Sequence, residues 1–65
     1  MKIITRERES RGWSRAELAR RAQLNAATVG QIEAGRLVPY AVQLDKIAAA
    51  LEYAGDAATL LKDVA

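Results

Sequence analysis

Two short amphipathic segments separated by only two or three residues constrain this chain more than any other feature. Gly12-Trp13-Ser14-Arg15-Ala16-Glu17-Leu18-Ala19-Arg20-Arg21-Ala22 is followed, after Gln23, by Leu24-Asn25-Ala26-Ala27-Thr28-Val29-Gly30-Gln31-Ile32-Glu33-Ala34-Gly35. Ser14 and Glu17 form a capping-box pattern, in which the hydroxyl accepts from the Glu17 N–H and the carboxylate reaches back to the Ser14 N–H. A helix therefore starts at Arg15, with Leu18, Ala19 and Ala22 lining one face. Asn25 is a good N-cap for the next helix. Val29 and Ile32 form the stripe of that helix, and Gly35 stops it. So short a connection, around Gln23-Leu24-Asn25, forces a sharp corner. A helix pair of this shape is able to lay its second helix in a DNA major groove.

The distribution of charge agrees with that use. The net charge of the 65 residues is +2. Residues 1–36 carry Lys2 and seven arginines against Glu7, Glu9, Glu17 and Glu33, a net +4. Residues 37–65 carry Lys46 and Lys62 against Asp45, Glu52, Asp56 and Asp63, a net −2. Phosphate binding needs local positive potential, and the basic half coincides with the helix pair.

The rest of the chain reads as further helices in a single domain spanning 1–65. The first runs from about Lys2 to Arg11 and stops at Gly12; its apolar content is thin, so Trp13 is expected to supply surface. After the loop Arg36-Leu37-Val38-Pro39, a fourth helix runs from about Ala41 to Leu51. Leu44, Ile47, Ala48 and Leu51 face inward, with Val42 partly so. Ala54-Gly55 breaks the chain, and Asp56 caps a fifth helix from Ala57 to about Val64. The expected fold is all-α, a compact five-helix bundle.

In this order and spacing, the residues from 4 to about 51 resemble the Cro/repressor (XRE-type) helix-turn-helix domains of phage repressors and bacterial regulators. The likeness is carried by Arg8 four positions before Gly12, Trp13-Ser14-x-x-Glu17-Leu18-Ala19 and Leu24. It continues in Thr28-Val29-x-x-Ile32-Glu33-x-Gly35, Pro39, and the stripe Leu44, Ile47, Ala48 and Leu51. The resemblance implies a lambda-repressor-like fold and a buried Arg8–Glu33 pair tying the first helix to the third. Three positions depart from the family pattern. Glu7 stands where a second apolar residue is usual, Gln23 where Gly is preferred with φ > 0, and Tyr40 where Ser or Thr usually caps the fourth helix.

Within this frame, Gln31 lies on the outer face of the third helix, and an amide is able to bond adenine bidentately. Ala26, Ala27 and Gly30 share that face; small residues let a helix sit deep, and alanine methyls meet thymine methyls. Arg15, Asn25, Thr28 and Arg36 are placed for phosphates, and at the Arg15 position the resemblance implies a polar residue that touches the backbone and one base edge; Arg11, Arg20 and Arg21 are less well placed. One recognition helix reads only four or five base pairs, and the family's solution is a homodimer on a palindrome, with double-stranded DNA as partner. Leu37, Val38, Tyr53, Leu60, Leu61 and Val64 exceed what inward packing needs and mark the expected dimer surface.

Other functions lack their residues. There is no His and no Cys, so nucleophilic and acid–base sites have no partnered groups and an enzyme is not expected. A metal would rest on carboxylates alone, and no cofactor is implied. No glycine-rich phosphate loop is present, and no small-molecule ligand is evident. No apolar run approaches the ~20 residues that span a bilayer. The start Met-Lys-Ile-Ile-Thr-Arg lacks the apolar core of a signal peptide. The expectation is a cytoplasmic, nucleoid-associated regulator of transcription, a repressor of bacterial or phage origin. The competing reading is an antitoxin or other protein-interaction module that keeps the fold.

Overall fold

The computed structural model describes residues 1–64. They form four α-helices: α1 Ile3–Ser10, α2 Arg15–Ala22, α3 Ala26–Glu33 and α4 Ala41–Leu51. A single 3-10 turn, Ala57–Leu61, follows.

Each helix begins and ends for an identifiable reason. Ser14 accepts from the Glu17 N–H at 3.0 Å and starts α2 at Arg15. Only half of the expected capping box forms, because the Glu17 carboxylate turns outward to Arg20 and Arg21 instead (2.5 and 2.6 Å). Asn25 accepts from the Ala27 N–H at 2.8 Å and starts α3. At α4 the Tyr40 side chain makes no cap bond; Gln43 reaches back instead, accepting from the Tyr40 N–H at 2.9 Å. Gly12 and Gly35 end α1 and α3 at φ +70° and +76°. Gln23 performs the same left-handed turn after α2 with φ 58°, and Glu52 after α4 with φ 50°. A side chain in that region costs about 1 kcal/mol or more relative to glycine, so both ends carry local strain.

α2 is the centre of the packing and lies against both α3 and α4. Leu18, Ala19 and Ala22 of α2, Val29 and Ile32 of α3, and Leu44, Ile47 and Leu51 of α4 are buried together with Ile4 and Leu60. The small Ala19 and Ala22 let the helices approach closely. Trp13 is half-buried against this core and covers the end of α1, which contributes only Ile4 and Arg8 as buried residues.

Two expectations are corrected. Val42, placed partly inward, is 61% exposed. The fifth helix does not form: the chain makes one 3-10 turn and then runs extended. Lys62–Val64 lie antiparallel to the first residues, with the Ile3 N–H donating to the Lys62 carbonyl and the Val64 N–H to the Met1 carbonyl, both at 2.8 Å. The reason lies at the other end of the chain. α1 has no side-chain cap at Lys2, and the unpaired N–H groups of a first turn need an acceptor. The Lys62 carbonyl supplies one, which draws the last residues out of a helical path.

Candidate nucleic-acid interface

α3 presents the surface that sequence reasoning singled out. Its inner stripe, Val29, Ile32 and Glu33, is buried, and Ala26, Ala27 and Gln31 are exposed. Gly30 and Thr28 are half-buried. No charged side chain stands on the outer face. Gly30 has ordinary helical geometry, and a Cβ there would meet only the Arg15 Cδ at 3.9 Å. Packing within the fold therefore does not require glycine at this position.

Charged and polar groups frame that face. Asn25 uses its Oδ1 to cap α3, leaving its amide NH2 directed elsewhere. Arg36 follows Gly35 and, among the described residues, makes no ion pair. Arg15 keeps a 58% exposed side chain while its Nε donates to Glu33 at 3.3 Å. The other arginines of this half also make ion pairs within the protein, Arg6 with Glu7 among them. Arg20 and Arg21 close on Glu17, Arg21 also lies 4.3 Å over the Trp13 ring, and Arg11 binds Glu7 and the Leu51 carbonyl. Glu17 is held below the usual carboxylate range by its hydrogen bonds to Arg20 and then Arg21.

Glu33 anchors the unit from beneath. Arg8 donates from Nε at 2.8 Å and from Nη2 at 3.1 Å to its two oxygens, and from Nη1 to the Trp13 carbonyl at 2.7 Å. These bonds join α1, the α1–α2 loop and α3 through one fork. Burial pushes the Glu33 carboxyl up. The hydrogen bonds and charge of Arg8, aided by Arg15 and Thr5, outweigh it and hold the group below its ordinary value. Among the described residues no buried side-chain nitrogen or oxygen lacks a partner.

The residues expected at a dimer surface separate into two groups. Leu60 is fully buried in the protomer's own core and offers no surface, which removes it from that set. Tyr53 and Leu61 are half-buried against the same core, and the Tyr53 hydroxyl is bonded to Thr59 at 2.7 Å. Val64 is half-buried. Leu37 (40%) and Val38 (83%) are exposed. They are joined by Tyr40 (77%) and Val42 (61%), which the sequence reading did not place at a surface.

A groove of about 280 Å³ is lined by Arg21, Ala22, Gln23, Lys46, Ala49 and Ala50, below the ~300–1,000 Å³ usual for small-molecule sites. Among the described residues no helix is long and apolar enough to cross a membrane, and no group of three or more potential metal ligands is gathered.

Neither a curated protein nor a solved structure matches the chain significantly. A family model described as a helix-turn-helix domain does match, over residues 4–61. That span takes in α1 through the 3-10 turn, including the capped α2–α3 pair, the left-handed Gln23 corner and the Arg8–Glu33 anchor. The chain therefore belongs to this helix-turn-helix domain family, a family of XRE-like domains.

Proposed function

We propose that residues 1–65 act as one sequence-specific double-stranded DNA-binding domain of a transcriptional regulator, a repressor. α3 would enter the major groove and two copies would bind a palindromic operator. The observation that carries this reading is the contrast across the α2–α3 unit. The outer face of α3 bears small residues and one amide, and exposed Arg15, Asn25 and Arg36 stand around it. An uncharged helix face rimmed by donors suits entry into a groove whose walls are phosphates. Gln31 is the base-reading amide, Ala26, Ala27 and Gly30 permit close approach, and Thr28 joins the rim as a phosphate ligand.

Dimerisation follows from reach. The protomer is 27 Å in its longest extent, whereas successive major-groove openings on one side of the duplex are ~34 Å apart. One copy cannot read both. The exposed apolar run Leu37, Val38, Tyr40 and Val42 would supply the self-contact, together with the half-buried Tyr53, Leu61 and Val64. The same run favours a second reading, in which it docks an unrelated protein and the fold serves as an interaction module.

Selection of bound duplexes from a random pool, followed by sedimentation of the protein with the selected site, separates the two. The regulator reading expects an enriched palindrome carrying two protomers. No enrichment would overturn DNA reading, and a single protomer on an intact palindrome would overturn the dimer.

A further inference from the structure

Arg15 differs from every other arginine of the helix pair. It is carried by α2, yet its side chain crosses to α3. The stem passes the flank of Gly30, with Cδ 3.9 Å from where a Cβ on that residue would stand. Beyond it, Nε donates to Glu33 Oε1 at 3.3 Å. That carboxylate does not swing, because Arg8 holds both of its oxygens at 2.8 and 3.1 Å. The Glu33 side chain is 2% exposed and that of Arg15 58%, so Arg15 is fixed at its inner end and open at its outer end.

A guanidinium has five N–H donors in one plane. Glu33 engages the one on Nε. Among the described residues no hydrogen bond is made by Arg15 Nη1 or Nη2. Those two amines form the edge of the fork that matches O6 and N7 of guanine. The position of the stem decides between base and phosphate. Asn25 and Arg36 flank the two ends of α3, where groove walls lie. Gly30 is in the middle of the helix, one turn on from Ala26 and Ala27 and next to Gln31. A long side chain on residue 30 would contest the path that Arg15 takes.

We propose that Arg15 is a specificity-determining residue. It serves the reading face of α3 through the gap at Gly30, with Glu33 as the positioning residue that presents its terminal amines to a guanine. This rests on the DNA-binding reading above and adds to it a second base preference, distinct from the adenine preference of Gln31.

The test is duplex selection with the wild-type chain, Arg15→Gln and Gly30→Leu, each checked for folding by circular dichroism, together with salt titrations on the wild-type consensus. The wild type is expected to enrich one G·C pair per half-site that does not depend on Gln31. Arg15→Gln should lose that preference and keep the rest of the consensus, with affinity for the wild-type site falling about 5- to 150-fold. Gly30→Leu, which leaves Arg15 in place but obstructs its path, should lose the same preference. An unchanged consensus in Arg15→Gln, with all sequences weakened alike and a salt slope smaller by about one, would show a phosphate contact and overturn the proposal while leaving DNA binding intact. Retention of the guanine by Gly30→Leu would overturn the path over Gly30. Failure of the wild type to enrich any sequence would instead overturn the DNA-binding reading on which the proposal stands.

Discussion

Single side chains in this protein either stabilise the fold or face outward, and the two roles predict different mutant behaviour. Arg8 and Glu33 belong to the first kind. Removing one partner of a buried ion pair strands the other, at a typical cost of about 3–5 kcal/mol. Glu33→Gln is therefore expected to lower the thermal midpoint markedly at pH 7. The acid dependence follows from the same pair. The folded carboxyl titrates below its unfolded counterpart, so its stabilisation is complete above the unfolded value of about 4.3. It is lost as pH falls from there through the depressed folded value. Melts of both proteins at pH 7 and pH 3 check this, with the wild type losing more on acidification than Glu33→Gln. Gln31 and Arg36 are of the second kind, since both are exposed. Gln31→Ala should cost about 1–3 kcal/mol on the preferred duplex and relax choice at one base pair per half-site. Arg36→Ala should weaken all duplexes alike. Binding-site selection with both variants reads the difference, and an unchanged consensus in Gln31→Ala would place the reading face elsewhere.

At the scale of elements, the corner between α2 and α3 sets the direction of the outer face, and it is built on an imperfect residue. Gln23 sits at φ 58°, ψ 42° with its N–H on the Arg20 carbonyl, while the Leu24 N–H bonds the Ala19 carbonyl at 2.8 Å. The hydrogen bonds are those of a well-closed helix end; only the side chain is unsuited to the dihedral angles. Gln23→Gly should therefore raise stability by about 1 kcal/mol without moving α3. Chemical denaturation gives the first quantity, and an unchanged duplex consensus verifies the second. A loss of stability would mean that the glutamine side chain contributes contacts outweighing the strain. The closing segment teaches the converse. Asp56 caps the Ala58 N–H at 3.0 Å, as a helix start should, yet the chain leaves the helical path after Leu61. The open first turn of α1 offers competing hydrogen bonds to the residues that follow.

The whole molecule exposes 3990 Å², close to the ~4,100 Å² of a folded monomer of this mass. The protomer thus covers its own core, and the proposed dimer joins two folded units through a limited apolar run. Its electrostatics are local: the basic half lies in α1 to α3, and part of that charge is cancelled by Glu17 and Glu33. Two copies presenting Arg15 and Arg36 to phosphates and bases should still give a steep salt dependence, with a slope near −0.9 per neutralised phosphate. Affinity for a selected duplex is expected to fall at least tenfold between 50 and 200 mM salt, measured by fluorescence anisotropy; a flat profile would remove the electrostatic part of the DNA-binding reading.

Local chemistry was enough to determine the α2–α3 unit and α4. Ser14, Asn25 and Gly35 mark helix ends through bonds to residues at most a few positions away, and Leu18, Val29, Ile32, Leu44, Ile47 and Leu51 repeat at the helical period. The outer face of α3 was legible for the same reason, because it is what remains when the buried stripe is assigned. Tertiary structure decided everything that depends on distant partners. Leu60 looked like surplus apolar surface until the core closed over it, and residues 62–64 looked helical until the uncapped start of α1 claimed the Lys62 carbonyl. Arg15 read as a phosphate ligand at a helix start. Its attachment to Glu33, 18 residues away and already held by Arg8, exists only once α1, α2 and α3 are packed together. Periodicity and capping act within a turn or two of the chain, whereas the partner of a long charged side chain is settled by which elements the fold brings within its reach.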